Sequence, residues 1–419
     1  MSKSSNTVIF HIDVNSAYLS WEAVHRLQHG SELDIREIPS AIGGDPVERR
    51  GIILARSIPA KKYNIKTGET VYSAMQKCPK LAIYPPRYDL YIKCSTAMGE
   101  LLKEYSPSVE RFSIDEFFID YTNMEKHFGS PVEGANTIRK RIQNELGFTV
   151  NIGVSSNKLL SKMASDFSKP NKVHTLFPDE ISDKLWPLPV RDLFMVGRAT
   201  ARKLNKLGIS TIGDLACYDP EILKRHLKSH GILVWNFANG IENSPVLDRP
   251  DDIKSIGNSS TISFDVKDKK TAHMILLSLT EMVGMRLRSE NYRAGLVSIS
   301  IRTNEFFSYS RQRKLDYNTD STNFIYETAV SLFDEIWKGE PLRQFGVRVS
   351  DLHSNKATQL SIFEPKEWLK QEKLDIAIDK IRSKHGTDKI IRAVFLDSEI
   401  KPLLGGVSDD DYPGMKNNL

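Results

Sequence analysis

TVIFHIDV (residues 7–14) is an unbroken β-rich run, as a strand buried on both faces requires, and its neighbours in the chain narrow the fold. NSAYLSWEAVHRL (15–27) follows with Tyr18, Leu19, Ala23 and Leu27 at helical spacing, so Asp13 stands where a strand ends and a helix begins. Residues 30–80 are irregular, with short strands broken by Gly43, Gly44, Pro46, Gly51, Pro59 and Gly68. YDLYIKCSTAMGELLKEY (88–105) reads as a helix, VERFSI and FFIDYT as two strands meeting near Asp115, GANTIRKRIQNEL (134–146) as a helix and FTVNIGVS (148–155) as a strand. Strand, helix, strand, strand, helix, strand is the split βαβ succession, which predicts an α+β core around an antiparallel sheet.

FSIDEFFID (112–120) sets Asp115 and Glu116 side by side in a run that otherwise reads as buried strand. An ionised carboxylate is costly to bury unless it is paired or holds a metal. Two of them about 4 Å apart repel by roughly 4 kcal/mol at an effective dielectric of 20. Stability alone would select Val or Ile, so the pair points to a cation. Adjacent strand residues face opposite ways; for both acids to serve one site the strand must turn or end there, and Asp13 at another strand's end completes the cluster. Oxygen ligands of this kind suit Mg²⁺, and two such ions activate a hydroxyl and steady a leaving phosphate oxygen. The alternative is an exposed hairpin acid pair with an N-capping Asp13.

The chain has 419 residues, which suggests two to four domains, and its 40% hydrophobic and 26% charged content is that of a globular protein. No apolar run suits a membrane span, and the N-terminal apolar stretch is broken by His11 and Asp13, so a cytosolic protein without a signal segment is expected. Cys78, Cys94 and Cys217 are scattered, without metal-ligand spacing. A net charge of +5 permits an anionic partner without requiring one. GVSSNKLLSKMASDFSKPNKV (153–173) is a strand end and a basic helix stopped at Pro170, with Lys158, Lys162 and Lys169 suited to a triphosphate or to a solvated face. ARSIPAKKYNIKTG (55–68) adds Arg56, Lys61 and Lys62 in a turn-rich segment. Residues 156–245 are helical with short breaks. Within them VRDLFMVGRATARKLNKLGISTIGDLA (190–216) reads as helix, hairpin, helix, with Gly197 allowing close backbone approach and Gly208 at a helix C′ position. A polar joint (242–260) leads to a second α+β unit whose SISIRT and YSRQRKL segments carry Arg302, Arg311, Arg313 and Lys314 along strands, a pattern that can track a phosphate backbone. Residues 354–419 read as a tail carrying one helix, and QLSIF (359–363) in it offers Gln359, Leu360 and Phe363 as anchors of a docking peptide.

Taken in order, these motifs resemble those of the Y-family, or translesion, DNA polymerases, over about residues 7–353. HIDVNSAYLSWE and SIDEFFID are similar to the two catalytic motifs, GVSSNKLLSKMASDFSKPN to the third stretch, and MVGRATARKL to the helix–hairpin–helix. The resemblance implies a right-handed, multidomain α+β polymerase: a ferredoxin-like palm (1–27 and 75–165), small fingers (28–74), a helical thumb (166–245), a linker (246–253), an α+β little finger (254–353) and a C-terminal tail (354–419) with a clamp-binding peptide. It implies Asp13, Asp115 and Glu116 as catalytic metal ligands, with the Val14 carbonyl, for two Mg²⁺ ions. It makes Tyr18 the steric gate against ribose, and Ser57, Lys61 and Lys169 nucleotide contacts. It assigns Gly197, Arg198, Arg302, Arg311 and Arg313 to DNA, and Gln359, Leu360 and Phe363 to a bacterial sliding clamp. Primer–template DNA and dNTP are the implied partners, with no membrane partner, for a cytoplasmic monomer that bypasses DNA damage in an SOS-type response without proofreading. Four departures from the pattern bear on nucleotide and DNA affinity: Ile58 in place of a frequent Tyr, Lys61 of an Arg, Met195 of the first hairpin Gly and Lys172 of a Gly. Asn15 stands where many members have a second Asp, and the ligand set survives this. The rivals from other classes are a non-catalytic DNA- and clamp-binding scaffold, which the intact acid triad disfavours, and a two-metal nuclease, which needs no ribose filter.

Overall fold

Strand β1 (Ile9–Val14) is buried along its whole length at the centre of a five-stranded sheet. The computed structural model describes residues 7–45, 51–247, 253–354, 366–396 and 398–403. Helix α1 (Ala17–Gln28) leaves β1 after a left-handed Ser16, and its first turns bury Leu19, Trp21 and Ala23. A small three-stranded sheet follows, in the order β3-β2-β4, from β2 (Ser40–Gly43), β3 (Ile53–Arg56) and β4 (Ala82–Tyr84). Between its strands lie the single-turn α2 (Ile58–Lys61) and α3 (Val71–Lys77), capped by Ser57 and Thr70.

The main sheet resumes through α4 (Tyr88–Lys103), β5 (Val109–Arg111), β6 (Glu116–Asp120), α5 (Glu125–Phe128), α6 (Pro131–Arg141), β7 (Val150–Ser155), α7 (Lys158–Ser165) and β8 (Val173–Thr175). Its order is β5-β6-β1-β7-β8, antiparallel except for the β7–β8 pair. Strand alternation divides the residues between its faces. Phe10, Ile12, Val14, Phe117, Ile119, Val150, Ile152 and Val154 share a core with α4 and α6. His11, Asp13, Glu116 and Phe118 therefore face the other way, toward α7. That helix lies so close to β7 that a Cβ on Gly153 would stand 1.8 Å from the Ser161 carbonyl oxygen. Glycine is required there because α7 must approach the sheet to bring its lysines to the acids.

A helical unit follows: α8 (Arg198–Lys206), α9 (Ile212–Ala216), α10 (Pro220–Leu227) and α11 (Ser229–Ala238). It shares a core with Leu159, Leu160 and Met163 of α7. The helix expected ahead of the hairpin is reduced to single turns, Ile181–Leu185 and Val190–Asp192. Gly208 does take a positive φ, +81°, after α8.

The second α+β unit consists of β9 (Ser255–Val266), α12 (Lys269–Ser289), β10 (Tyr292–Thr303), β11 (Ser308–Thr319), α13 (Thr322–Ile336) and β12 (Leu342–Ser354). Its antiparallel sheet has the order β11-β10-β12-β9, and one face is buried by apolar residues of α12 and α13. The chain beyond is not a free tail among its described residues. Helix α14 (Lys366–His385) is tied to this unit by ion pairs: Arg288 with Asp379 at 2.6 Å, Arg293 with Glu372, and Arg382 with the buried Glu281 at 3.1 Å. Phe395 and Ile400 enter the same core.

Candidate active site and nucleic-acid face

The acids meet where β1 and β6 lie side by side. Asp13 is paired in register with Glu116, and the Val14 N–H donates to the Asp115 carbonyl at 3.1 Å. Strand β6 begins at Glu116, so Asp115 lies in the bend before it and escapes the alternation that would send it to the opposite face. Ser113 Oγ donates to Asp115 Oδ1 at 2.7 Å. The Lys162 ammonium, carried over the sheet by α7, reaches Glu116 Oε1 at 2.6 Å, and Lys169 pairs with Asp13 and, at 2.8 Å, with Asp166. Beneath them the buried His11 has Nδ1 2.8 Å from Ser165 Oγ and Nε2 3.9 Å from Glu116 Oε2.

These surroundings set the carboxyls apart. Burial pushes Asp13 upward against the pull of Lys169, and burial pushes Asp115 upward against the Ser113 hydroxyl. Burial would raise Glu116 too, but the His11 ring and the Lys162 ammonium outweigh it and hold this carboxyl down to about 2. Burial lowers His11 below the ordinary histidine range.

The donor chemistry fits a hard divalent cation: carboxylate oxygens at two adjacent strand ends, two of them carrying the desolvation penalty that a cation relieves. Among the described residues no three His, Cys, Asp or Glu side chains converge as a ready-made metal cluster. Lys169 and Lys162 supply the positive charge to Asp13 and Glu116.

Tyr18 stands in the first turn of α1, stacked on Tyr91 with ring centroids 4.5 Å apart and edge-on to Tyr88 at 6.1 Å. Its ring is thus braced by aromatic neighbours. The Ser57 hydroxyl is spent on the framework: it accepts from the Ala60 and Ser40 N–H groups at 3.1 Å and donates to the Ile38 carbonyl at 2.7 Å. What Ser57 does is hold the turn that presents Lys61. The Lys61 ammonium is pushed below the ordinary lysine value by desolvation, then by Arg56 and Lys169, with Asp13 acting against them. Arg56, Lys61 and Lys169 therefore form one electropositive rim beside Asp13. Ile58 is exposed.

Gly197 is the N-cap of α8 with an ordinary φ of −78°, and a Cβ there would meet nothing within 4 Å. The fold does not require glycine at this point, and Arg198 at the helix start is exposed. Met195 holds φ +70°, the left-handed conformation that the usual hairpin glycine adopts freely.

The sheet register separates the expected arginines. Ser298 is opposite Gln312 and Arg348, Ser300 opposite Ser310 and Gly346, and Arg302 opposite Ser308 and Gln344. These residues share the open face of the sheet. Arg302 donates to Ser308 Oγ at 3.0 Å and Arg348 to Ser255 Oγ at 2.6 Å. Arg311 and Arg313 are opposite Ile299 and Val297, on the helix-covered face, where both pair with Glu335 of α13. The row of basic residues read along the strands is thus two groups on two faces. Arg348 and His11 were missed, and Lys162, expected at a triphosphate, is bonded to Glu116 instead. Arg348 was readable from the alternation in FGVRVSDL, where Phe345, Val347 and Val349 are buried; the other two come to the site only through the packing of α7 and β1. Gln359, Leu360 and Phe363 lie outside the described residues.

The profile of the impB/mucB/samB family matches residues 12–166, that of the family's C-terminal domain residues 253–362, and that of the IMS family HHH motif residues 178–209. A protein named DNA polymerase IV from Clostridium acetobutylicum is 50% identical over 394 residues, which is 94% of this chain and 99% of that protein. One named DNA polymerase IV 2 from Bacillus subtilis is 36% identical, over 93% of this chain and 94% of the other. Among solved structures, a Y-family DNA polymerase chimera of Dbh and Dpo4 superposes with a TM-score of 0.73 at 24% identity, over 83% of this chain and all of the other. No helix among the described residues is long and apolar enough to cross a membrane. The family profiles together span most of the catalytic motifs, the hairpin and the second α+β unit, and with the close relatives they establish that this chain belongs to the impB/mucB/samB family of Y-family translesion DNA polymerases.

Proposed function

We propose that this chain is a template-directed DNA polymerase of the translesion type, which joins the 3′-hydroxyl of a primer to the α-phosphate of a dNTP. The observation that carries this reading is the adjacency of Asp13, Glu116 and the Asp115 backbone where β1 ends beside the start of β6, with the Arg56–Lys61–Lys169 rim beside them. Two Mg²⁺ ions, held by Asp13, Asp115, Glu116 and the Val14 carbonyl, would supply activation of the hydroxyl and charge neutralisation at the phosphates. Lys61 and Lys169 bind the triphosphate as point charges. Lys162 keeps Glu116 ionised and aimed across the sheet. Tyr18, fixed by Tyr91 and Tyr88, packs against the sugar where a ribose hydroxyl would clash.

The five-stranded sheet unit is the palm, the small sheet the fingers, the helical unit the thumb and the second α+β unit the little finger. Gly197, Arg198 and the open sheet face with Arg302 and Arg348 hold primer–template DNA through its phosphates. Gln359, Leu360 and Phe363 dock on a sliding clamp. A cytoplasmic monomer acting in an SOS-type damage response, with low fidelity and lesion bypass, completes the reading. Primer extension by the purified chain with dNTPs and Mg²⁺, on undamaged and abasic templates, tests it. Template-directed extension on both is expected. DNA binding without extension would make the chain a scaffold.

A further inference from the structure

The β10–β11 hairpin ends in the loop Asn304–Glu305–Phe306, closed by the Thr303 N–H donating to the Phe307 carbonyl at 2.9 Å and the Phe306 N–H donating to the Thr303 carbonyl at 3.0 Å. A three-residue hairpin loop of this kind ends in a residue with left-handed φ, a position that glycine takes at no steric cost. Here that residue is a phenylalanine, with φ +69°. A bulky side chain in this conformation is unfavourable, and such strain at an exposed position points to function. Burial gives nothing in return: Phe306 is 64% exposed and Phe307 61%. The Arg343 guanidinium lies over the ring, 4.3 Å from its centroid.

The tip continues directly from the open face of the sheet. Ser308, next to Phe307, is opposite Arg302, and Arg343 stands at the register shift between Leu342 and Gln344, the residue opposite Arg302 on β12. Beyond them the face is a floor of small polar side chains, with Arg348 and Lys314 as further cations and Glu305 as the tip's own acid. An aromatic ring and a guanidinium side by side, at the edge of a basic polar face and without a surrounding apolar groove, match a base or deoxyribose between phosphates. We propose that Phe306 and Phe307 form an aromatic tip that packs against the bases or sugars of DNA lying on the open sheet face, with Arg343 holding the Phe306 ring and the adjacent phosphate. This rests on the reading of that face as the DNA face. It adds to that reading a contact that is not electrostatic.

The position of Phe306 supplies an unusual test, because Phe306→Gly removes the ring and relieves the backbone together. The full chain is compared with Phe306→Gly, Phe306→Gly/Phe307→Ser and Arg302→Ala/Arg348→Ala in anisotropy titrations of a fluorescent primer–template across a salt series, without clamp, alongside thermal denaturation. Phe306→Gly should melt at or above the wild-type temperature. The double aromatic variant should bind DNA about five- to tenfold more weakly, with the slope of log Kd against log salt unchanged, because no phosphate contact of the sheet is lost. The double arginine variant should lose affinity and flatten that slope. Wild-type binding by the aromatic variant while the arginine variant weakens would overturn the aromatic tip and leave the DNA face standing. Wild-type binding by both would overturn the DNA face and the tip with it. An affinity of the aromatic variants that falls only in step with melting temperature would overturn the proposal as well.

Discussion

Glu281 is the point at which the C-terminal helix is most exposed to perturbation. It is 3% exposed in the middle of α12, and its Oε1 accepts from Arg382 of α14 at 3.1 Å and from Arg392 at 3.1 Å. Arg382 is itself buried and also donates to the Ile390 carbonyl. Removing one partner of a buried pair leaves the other charge uncompensated, at about 3–5 kcal/mol. Arg392 is 31% exposed at the side chain, so solvent screens it and its share is small. Glu281→Ala should therefore weaken the attachment of residues 366–403 by about 3–5 kcal/mol. Limited proteolysis with a trypsin-like protease, which has Lys and Arg sites along α14, reports the opening equilibrium directly. Cleavage in α14 should accelerate by at least about a hundredfold, with the unit around the five-stranded sheet untouched. The apolar replacement Glu281→Met with Arg382→Met should recover most of the protection, since a buried pair contributes little over a well-packed isostere. Cleavage at the wild-type rate in Glu281→Ala would refute the reasoning, because it would mean that the ion pairs do not hold the helix.

Three further outcomes follow from the same geometry. Tyr18→Ala should raise the rNTP/dNTP ratio of kcat/KM by about two orders of magnitude or more, and an unchanged ratio would move the gate to another residue. Gly197→Ala should leave the melting temperature within about 1 °C, because a Cβ there meets nothing and φ is ordinary, yet it should weaken primer–template binding in anisotropy; full retention of affinity would remove Gly197 from the DNA surface. Burial and the neighbouring Asp320 push Glu372 of α14 up to about 7, against the pull of Arg293. A carboxyl raised in the folded state contributes stability fully present below its unfolded pKa and lost as pH rises through the folded value. The attachment of α14 should therefore loosen between about pH 4.5 and pH 7, and hydrogen exchange across residues 366–385 should show less protection at pH 7.5 than at pH 5.5 after correction for intrinsic rates; the reverse order would contradict it.

Much of this was legible because strand alternation is a strong signal where both faces of a sheet are occupied. TVIFHIDV and FFID read as buried strands, and their polar interruptions marked the acids. The same signal failed in SYSRQRKLDYNT, an edge strand with no fully buried apolar residue before Leu315. Without an apolar face, nothing in that stretch distinguishes Gln312 from Arg313, and the arginines were assigned to one face. The attachment of α14 escaped notice for a related reason. Its hold on α12 and α13 is largely ionic, and Leu374, Ile376 and Ile381 are exposed, so among the described side chains no apolar stripe marks its packed face. Lys162 reaches Glu116 only because Gly153 lets α7 lie against β7, a fact of tertiary packing that no spacing in the chain records.

The assignment of the acids is tested most directly by Asp115→Ala. This carboxyl is half-buried, accepts from the Ser113 hydroxyl at 2.7 Å and, unlike Asp13 and Glu116, has no lysine bonded to it among the described residues, so its loss should disturb the fold little. Purified wild type and variant are compared in single-turnover extension of a primer by one dNTP with Mg²⁺, and in anisotropy binding of the same primer–template. Binding within about twofold of wild type with extension reduced by at least about a thousandfold is the expected result. Extension by the variant at a rate near wild type, with binding intact, would contradict the placement of the reaction at these three carboxylates.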